Sequence, residues 1–209
     1  MRSILSNNRE LAGILLFIGA AQFLTVMMIG EAVAPDYSMH ENAISDMGVI
    51  DETRWFFNPS MFLIGLLNLL AGYFFYKIHG DKILLIAFSI GGIGAMGAAA
   101  FPLDHPTGVH GLFALLAFLL MNVEALLTAR LLKGFMSLTS IVSGLIGLVF
   151  LVMMVLVDGG SVDMSGSIGH GGTERMIAYP VLIWMVLIGG YLLGSPEIHT
   201  KMKGAPVQN

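Results

Sequence analysis

Apolar and polar residues alternate along this chain in long blocks rather than in short periods. Six apolar runs stand out, at about residues 11–30, 59–78, 83–101, 109–131, 138–157 and 175–193, with short polar stretches between them. About 20 apolar residues in a helix cross a ~30 Å hydrocarbon core. Backbone inside lipid has no water to bond, so a helix is the form such a run takes. The pattern predicts an all-α polytopic membrane protein, a bundle of six transmembrane helices. No repeat of 20–50 residues is visible, so one transmembrane domain over residues 1–209 is expected, with residues 195–209 as a polar cytoplasmic tail.

Local signals refine these elements. The first run follows Arg2 and Arg9 and precedes Ala32-Val33-Ala34, a combination shared with signal peptides. It is longer than the usual h-region of 7–15 residues, and Pro35 would sit just after the cut, so a retained helix is expected. Asn58 followed by Pro59 reads as an N-cap and first helical position for the second span. Trp55-Phe56-Phe57 beside Arg54 reads as an interfacial anchor ahead of it. Pro180, one turn into the last span, frees a carbonyl and should bend that helix.

In the third span, Gly92-Ile93-Gly94-Ala95-Met96-Gly97 matches G-x-G-x-x-G. A dinucleotide site needs a preceding strand and a βαβ unit, and neither is present. Small residues at this density instead let membrane helices approach closely. Ser143-Gly144 in the fifth span is read as packing in the same way.

Composition agrees with the pattern. The chain is 56% hydrophobic and 11% charged, against about 25% charged in soluble domains, and its mean hydropathy is +0.83. With no cysteine, disulfides, thiolate nucleophiles, Cys-ligated zinc and iron–sulfur clusters are excluded. A net charge of −4 argues against nucleic acid as a partner. The distribution of charge says more. Arg2, Arg9, Lys77, Lys82, Arg130, Lys133, Lys201 and Lys203 fall on one side of the six spans, and only Arg54 and Arg175 on the other. Lys/Arg bias marks the cytoplasmic face, so both termini are expected inside, in a cell membrane. Glu31, Asp36, Glu41, Asp46, Asp51, Glu52, Asp104, Asp158, Asp163 and Glu174 collect on the opposite, extracytoplasmic side.

Three loops on that side hold most of the chemically able side chains. The first, Asp-Tyr-Ser-Met-His-Glu-Asn-Ala-Ile-Ser-Asp-Met-Gly over residues 36–48, is polar between two apolar runs. Ser38-x-x-Glu41 has the form of a capping box, which predicts a short extra helix from Met39 to Met47, stopped by Gly48. On it Met39, Ala43 and Met47 share a face, and Asn42 and Asp46 pair at i, i+4 with Ser45 close by. The bland alternative is a solvated, capped loop whose polar groups satisfy its own ends. The second loop carries Asp104 and, opening the fourth helix, His110. A carboxylate commonly orients an imidazole or shares a metal with it, so these two are the metal candidates, suited to a divalent ion such as zinc. The alternative is that Asp104 caps a turn and His110 faces interfacial water.

The third loop is rich in glycine and serine up to Gly172. Thr173 reads as an N-cap with Glu174 in the first turn, and Arg175 and Tyr179 share a helix face. Arg175 is expected in an ion pair with Asp46 or Asp104, with anion recognition as the sharper alternative. His170 lies in a flexible, glycine-flanked context. Within the membrane Glu124 stands alone, with Gln22, Thr25 and Asn68 as further polar residues at depth. A carboxyl there costs about 2.5–3.5 kcal/mol on insertion scales. It marks an ion path inward from His110, or a protonated hydrogen-bonded acid, or, the preferred reading, a group near Arg130 and hydrated from the cytoplasmic side.

The chain has no H-E-x-x-H helix, no G-x-S-x-G elbow and no Walker loop, and no nucleotide, haem or iron–sulfur cofactor is expected. Asn42-Ala43-Ile44-Ser45-Asp46-Met47-Gly48, Phe101-Pro102-x-Asp104 with His110, and Glu174-Arg175 leading to Tyr179-Pro180 resemble a family of prokaryotic six-helix membrane proteins, the domain of unknown function 998. The resemblance spans essentially the whole chain, with Met47 where leucine is usual. It implies the fold, brings no agreed activity, and gives a reason to treat the three loops as one site. More distantly the chain is similar to the DRAM-type autophagy-modulator group, linked to lipid and membrane organisation.

Three functions follow, in order of preference. The first is binding or organising lipid head groups in a pocket of Asn42, Glu174, Arg175 and Tyr179. The second is lipid hydrolysis at the outer leaflet, with His110, Asp104, Asp46 and Ser45 as catalytic candidates and a metal or a His/Asp base. The third is a small ion- or proton-coupled transporter with Glu124 on its path. Membrane lipids are the expected partners, with a second copy of the chain as a further candidate.

Overall fold

The computed structural model describes residues 2–160 and 166–194, with side chains from residue 7 onward. Asp163, the side chain of Arg2 and the expected tail 195–209 with Lys201 and Lys203 lie outside the described residues. Among those described, six α-helices follow one another: α1 (Arg2–Val33), α2 (Arg54–His79), α3 (Lys82–Ala100), α4 (His110–Ala129), α5 (Gly134–Asp158) and α6 (Gly169–Leu193). Each is long and apolar enough to cross a membrane, which is the make-up of a multi-pass membrane protein. Every helix packs on its chain neighbours, and α6 returns to α1, while α4 touches α6 across the bundle. The end that bears the loop from α1 to α2 is called the upper end below. The C-termini of α1, α3 and α5 meet there with the N-termini of α2, α4 and α6.

Two helices begin earlier than their capping signals suggest. α2 starts at Arg54, so Asn58 and Pro59 lie inside it and cap nothing. Phe57 is fully buried and meets the Phe23 ring of α1 at 5.7 Å. That contact extends the helix through the aromatic triplet. Trp55, 71% exposed, is free to face an interface. α6 starts at Gly169, so Thr173 sits within it, its hydroxyl donating to Gly169 O (2.8 Å).

Small residues set the helix spacing. A Cβ on Gly92 would lie 2.5 Å from Gly65 O of α2, and one on Gly94 would lie 2.5 Å from Ala117 N of α4. The glycine run of α3 is thus divided between two neighbours, as membrane packing requires. α5 buries only Ser140, Gly144, Gly147 and Leu151, one stripe at helical spacing. A Cβ on Gly147 would fall 1.9 Å from the Asn122 amide oxygen.

Polar side chains within the bundle cross between helices. Ser60 donates to Gln22 Oε1 (2.6 Å), joining α2 to α1. Trp184 Nε1 donates to Ser140 Oγ (2.7 Å), joining α6 to α5. Asn122 Nδ2 donates to Ile177 O (3.2 Å), joining α4 to α6. Asn68 Nδ2 donates to Phe88 O (3.2 Å) and to Glu124 Oε2 (3.1 Å), linking α2, α3 and α4. Glu124 is 0% exposed, which corrects the expectation that it is hydrated near Arg130. Arg130 turns to Asp81 instead.

Asp81 N-caps α3, its Oδ1 accepting from Ile83 N and Leu84 N (both 3.1 Å). The Leu84 N–H bond is the largest influence holding its carboxyl below the usual range; the nearby Arg130 guanidinium adds to this, and partial burial opposes both. A depressed folded-state pKa contributes stability above the unfolded value, lost as pH falls through the folded one. Asp81→Asn, which keeps the cap, should cost about 0.5–1 kcal/mol at neutral pH. The difference from wild type should close below about pH 4. Thermal unfolding at several pH values checks this, and a gap persisting into acid would refute it.

Candidate functional site

The first loop folds onto the glycine-rich start of α6. A Cβ on Gly171 would lie 2.1 Å from Asn42 O, and one on Gly169 would lie 2.2 Å from His40 O. Only glycines allow this approach, and Gly169 also sits at φ +68°. Gly171 N donates to His40 O (2.9 Å), pinning the loop. What reads in sequence as a flexible stretch around His170 is the landing strip for residues 38–44.

The expected helix from Met39 to Met47 does not form. Asn42 closes a turn, its Oδ1 accepting from Ser38 N (2.9 Å) and its N–H reaching Ser38 O (2.7 Å). A 3-10 helix follows at Ile44–Gly48. Asp46 Oδ2 accepts from Ala43 N (2.9 Å) and Asn42 Nδ2 (3.2 Å), so the expected Asn42–Asp46 pair is present. Ser38 Oγ accepts from Glu41 N at 3.4 Å, while Glu41 turns to His40 (2.6 Å), so the capping box is half made. Met39 is exposed while Met47 is buried, so the two share no face. Short-range side-chain bonds won over helix here.

Arg175 is the hub of the upper end. Its Nε donates to Glu31 Oε1 (2.9 Å), and its Nη2 reaches the same oxygen (2.9 Å) and Tyr37 Oη (2.6 Å). Its Nη1 donates to Met39 O (3.2 Å), Asn42 O (3.0 Å) and Gly171 O (2.8 Å). Each guanidinium nitrogen is thereby engaged within the chain. The expected ion pair exists, but with Glu31 of α1 rather than Asp46 or Asp104. Tyr179 Oη also donates to Glu31 Oε1 (3.2 Å). Tyr37 Oη donates in turn to Ala43 O (2.8 Å), and burial pushes its phenol up to about 12, so it stays a donor.

Sequence reading missed Glu31 and Tyr37. Glu31 ends the first apolar run, and its signal was available: a carboxylate at the upper end opposite a nearly solitary cation. Asp104 is exposed and bonds Arg54 (3.5 Å), making no hydrogen bond or ion pair with His110. His110 is buried, and its Nδ1 meets Phe101 O (2.9 Å) and Ala98 O (3.1 Å). Two carbonyl partners require a proton on Nδ1. Among the described residues no group of three or more His, Asp or Glu is placed to hold a metal.

Beneath this clasp lie two cavities that share a wall. The inner one, about 70 Å³, sits among apolar side chains such as Phe23, Ile64, Ala117 and Met121. The outer one, about 450 Å³, is lined by Asp46, Asp158 and His170 and by Leu115, Met154 and Val155 of α4 and α5. Ser45, His110, Ala114, Phe118 and Glu174 line both. Glu174 is buried and accepts from Ile44 N, which hangs the 3-10 helix over the cavities. His170 Nδ1 lies 3.7 Å from Asp158 Oδ1. Seven of the eight expected residues thus meet, in two roles: Ser45, Asp46, His110 and Glu174 line cavity, while Asn42, Arg175 and Tyr179 build the scaffold above it and line neither cavity; Asp104 stands apart.

The fold and cavity define a class, a six-helix membrane protein with a polar-mouthed cavity at one end. Within that class the chain matches, over residues 17–191, the family described as Protein of unknown function (DUF998), and it belongs to that family. No curated protein and no solved structure matches it.

Proposed function

We propose that the protein binds a membrane lipid at its upper end, the head group in the outer cavity and an apolar part entering the inner one. The observation that carries this reading is the join of a polar-mouthed cavity to an apolar one. Its outer part lies in the usual range for small-molecule sites, about 300–1,000 Å³. Leu115 and Val155 line the outer cavity and are also exposed on the bundle surface. That side is apolar, and an occupant entering there comes from the bilayer. Orientation follows the charge bias: Arg9, Lys77, Lys82, Arg130 and Lys133 at the lower end put both termini in the cytoplasm and the cavity outside.

The charges of the cavity select the head group. Asp46, Asp158 and Glu174 are the carboxyl groups that line it, and Arg175 is held by the chain's own acceptors. A head group bearing an ammonium suits this mouth better than a bare phosphate. Extraction and mass spectrometry of protein purified in mild detergent tests the reading. Ala114→Trp, at the wall between the cavities, should lower the retained lipid about tenfold or more. Leu112→Trp, at a position 58% exposed, should leave it unchanged. Equal retention in all three proteins, or none in any, would sink the proposal.

A second reading, lipid hydrolysis, is favoured by one observation. Ser45 and His110 line the same cavities, and the carbonyl bonds of His110 occupy Nδ1 rather than Nε2. Release of fatty acid from lipid esters or amides, abolished in both Ser45→Ala and His110→Ala with the fold intact, would decide for it. Absence of turnover leaves binding alone.

A further inference from the structure

Three helices meet at a polar group that neither cavity includes in its lining. Asn68 of α2 and Glu124 of α4 are both fully buried. Ile64 and Met121, which line the inner cavity, lie one helical turn from them towards the upper end. Asn68 uses both amide N–H groups, one to Phe88 O of α3 and one to Glu124 Oε2. The two oxygens left over, Asn68 Oδ1 and Glu124 Oε1, are buried and without a partner. Two unpaired acceptors on two residues already joined by a hydrogen bond are a specific anomaly, since buried polar atoms are rarely left unpaired.

A carboxylate oxygen and an amide oxygen are both acceptors, so they cannot satisfy one another. One added proton removes both defects. An acid and an amide form a closed ring in which the amide N–H donates to one carboxyl oxygen and the acid O–H donates to the amide oxygen. We propose that Asn68 and Glu124 form an intramembrane proton-binding site, in which Glu124 carries a proton on Oε1 and donates it to Asn68 Oδ1. The proton is taken from water before the carboxyl is buried and stays with the folded bundle. Among the described residues no Lys, Arg or His side chain pairs with Glu124: its Oε2 accepts from Asn68 and its Oε1 has no partner. Its polar neighbours are Asn68 of α2, the Phe88 carbonyl of α3, and Thr128 of its own helix, whose hydroxyl donates to Glu124 O (2.7 Å). A carboxylate there would be an unpaired charge in hydrocarbon, whereas a neutral acid completes a three-helix clasp.

The test is infrared spectroscopy of the full chain in lipid nanodiscs at neutral pH, with thermal unfolding alongside. The wild type should show a protonated carboxylic acid carbonyl band that is lost in Glu124→Gln and displaced in Asn68→Leu, where its amide partner is gone. Glutamine can make the same ring with asparagine, so Glu124→Gln should unfold within about 3 °C of wild type. Glu124→Ala strands the Asn68 amide and should lose roughly 5–12 °C. If Glu124→Gln fails to fold, the shift in Asn68→Leu assigns the band instead. Carboxylate bands alone at neutral pH, unmoved in Asn68→Leu, overturn the proposal. So does a wild-type unfolding temperature that rises with added sodium and no longer does so in Glu124→Gln, which would make the two oxygens cation ligands.

Discussion

Replacing Arg175 by methionine should destabilise the protein by about 3–5 kcal/mol, the cost of removing one partner of a buried ion pair. The side chains of Arg175 and Glu31 are 6% and 12% exposed, so little water reaches the carboxylate left behind. The loss goes beyond charge. Tyr37 loses a donor, and the carbonyls of Met39, Asn42 and Gly171 lose theirs together. Arg175→Lys should recover little of this, because one ammonium cannot span acceptors that a planar fork reaches at once. Glu31→Met combined with Arg175→Met should cost less than the sum of the two single changes, since no charge is then stranded. Denaturant titration of the four proteins in one detergent measures this cycle. A single-variant cost under about 1 kcal/mol would mean that the clasp is hydrated like a surface pair.

Gly171→Ala should cost about 3 kcal/mol or more, at the upper end of overpacking penalties. The added Cβ would meet two backbone oxygens, Asn42 O at 2.1 Å and Met39 O at 2.7 Å, and backbone cannot turn aside as a side chain can. The loop must lift from α6, breaking Gly171 N to His40 O and drawing Ile44 N from Glu174. Because that loop roofs the cavity, the variant should gain protease cleavage within residues 38–43 and, under the proposed lipid-binding function, hold less lipid. Gly190→Ala, in the same helix with open space around its Cβ, should stay near wild type or gain slightly. Equal behaviour of the two variants would show that the loop does not rest on α6 in the membrane.

The six helices were legible because lipid leaves the backbone so few choices. A run of about twenty apolar residues has one low-energy form in hydrocarbon, whatever its neighbours do. The small-residue role of Gly92, Gly94 and Gly97 was legible for the same reason, as was the Asn42–Asp46 pair, which spans a single turn. Helix ends were less so. Asn58-Pro59 carries a strong start signal, yet α2 begins at Arg54 because Phe57 gains a core contact with Phe23. Gly169-His170-Gly171-Gly172 carries a strong loop signal, yet it is helical because the first loop needs a surface without Cβ atoms.

The site divided along the same line. Sequence alone determined which side of the spans gathers the polar loops and that Arg175 would seek a carboxylate there. It could not choose among carboxylates scattered over the chain, because an ion pair between residues 144 apart depends on which helix closes the bundle. Only the packing of α6 on α1 brings Glu31 to Arg175, and only the loop resting on Gly171 brings Ile44 to Glu174. Asp104 and His110 are near neighbours in sequence, but a stiff turn sends one to Arg54 and buries the other against carbonyls. Solvation fixed the elements one at a time, whereas the cavity and its chemistry arise from contacts between them.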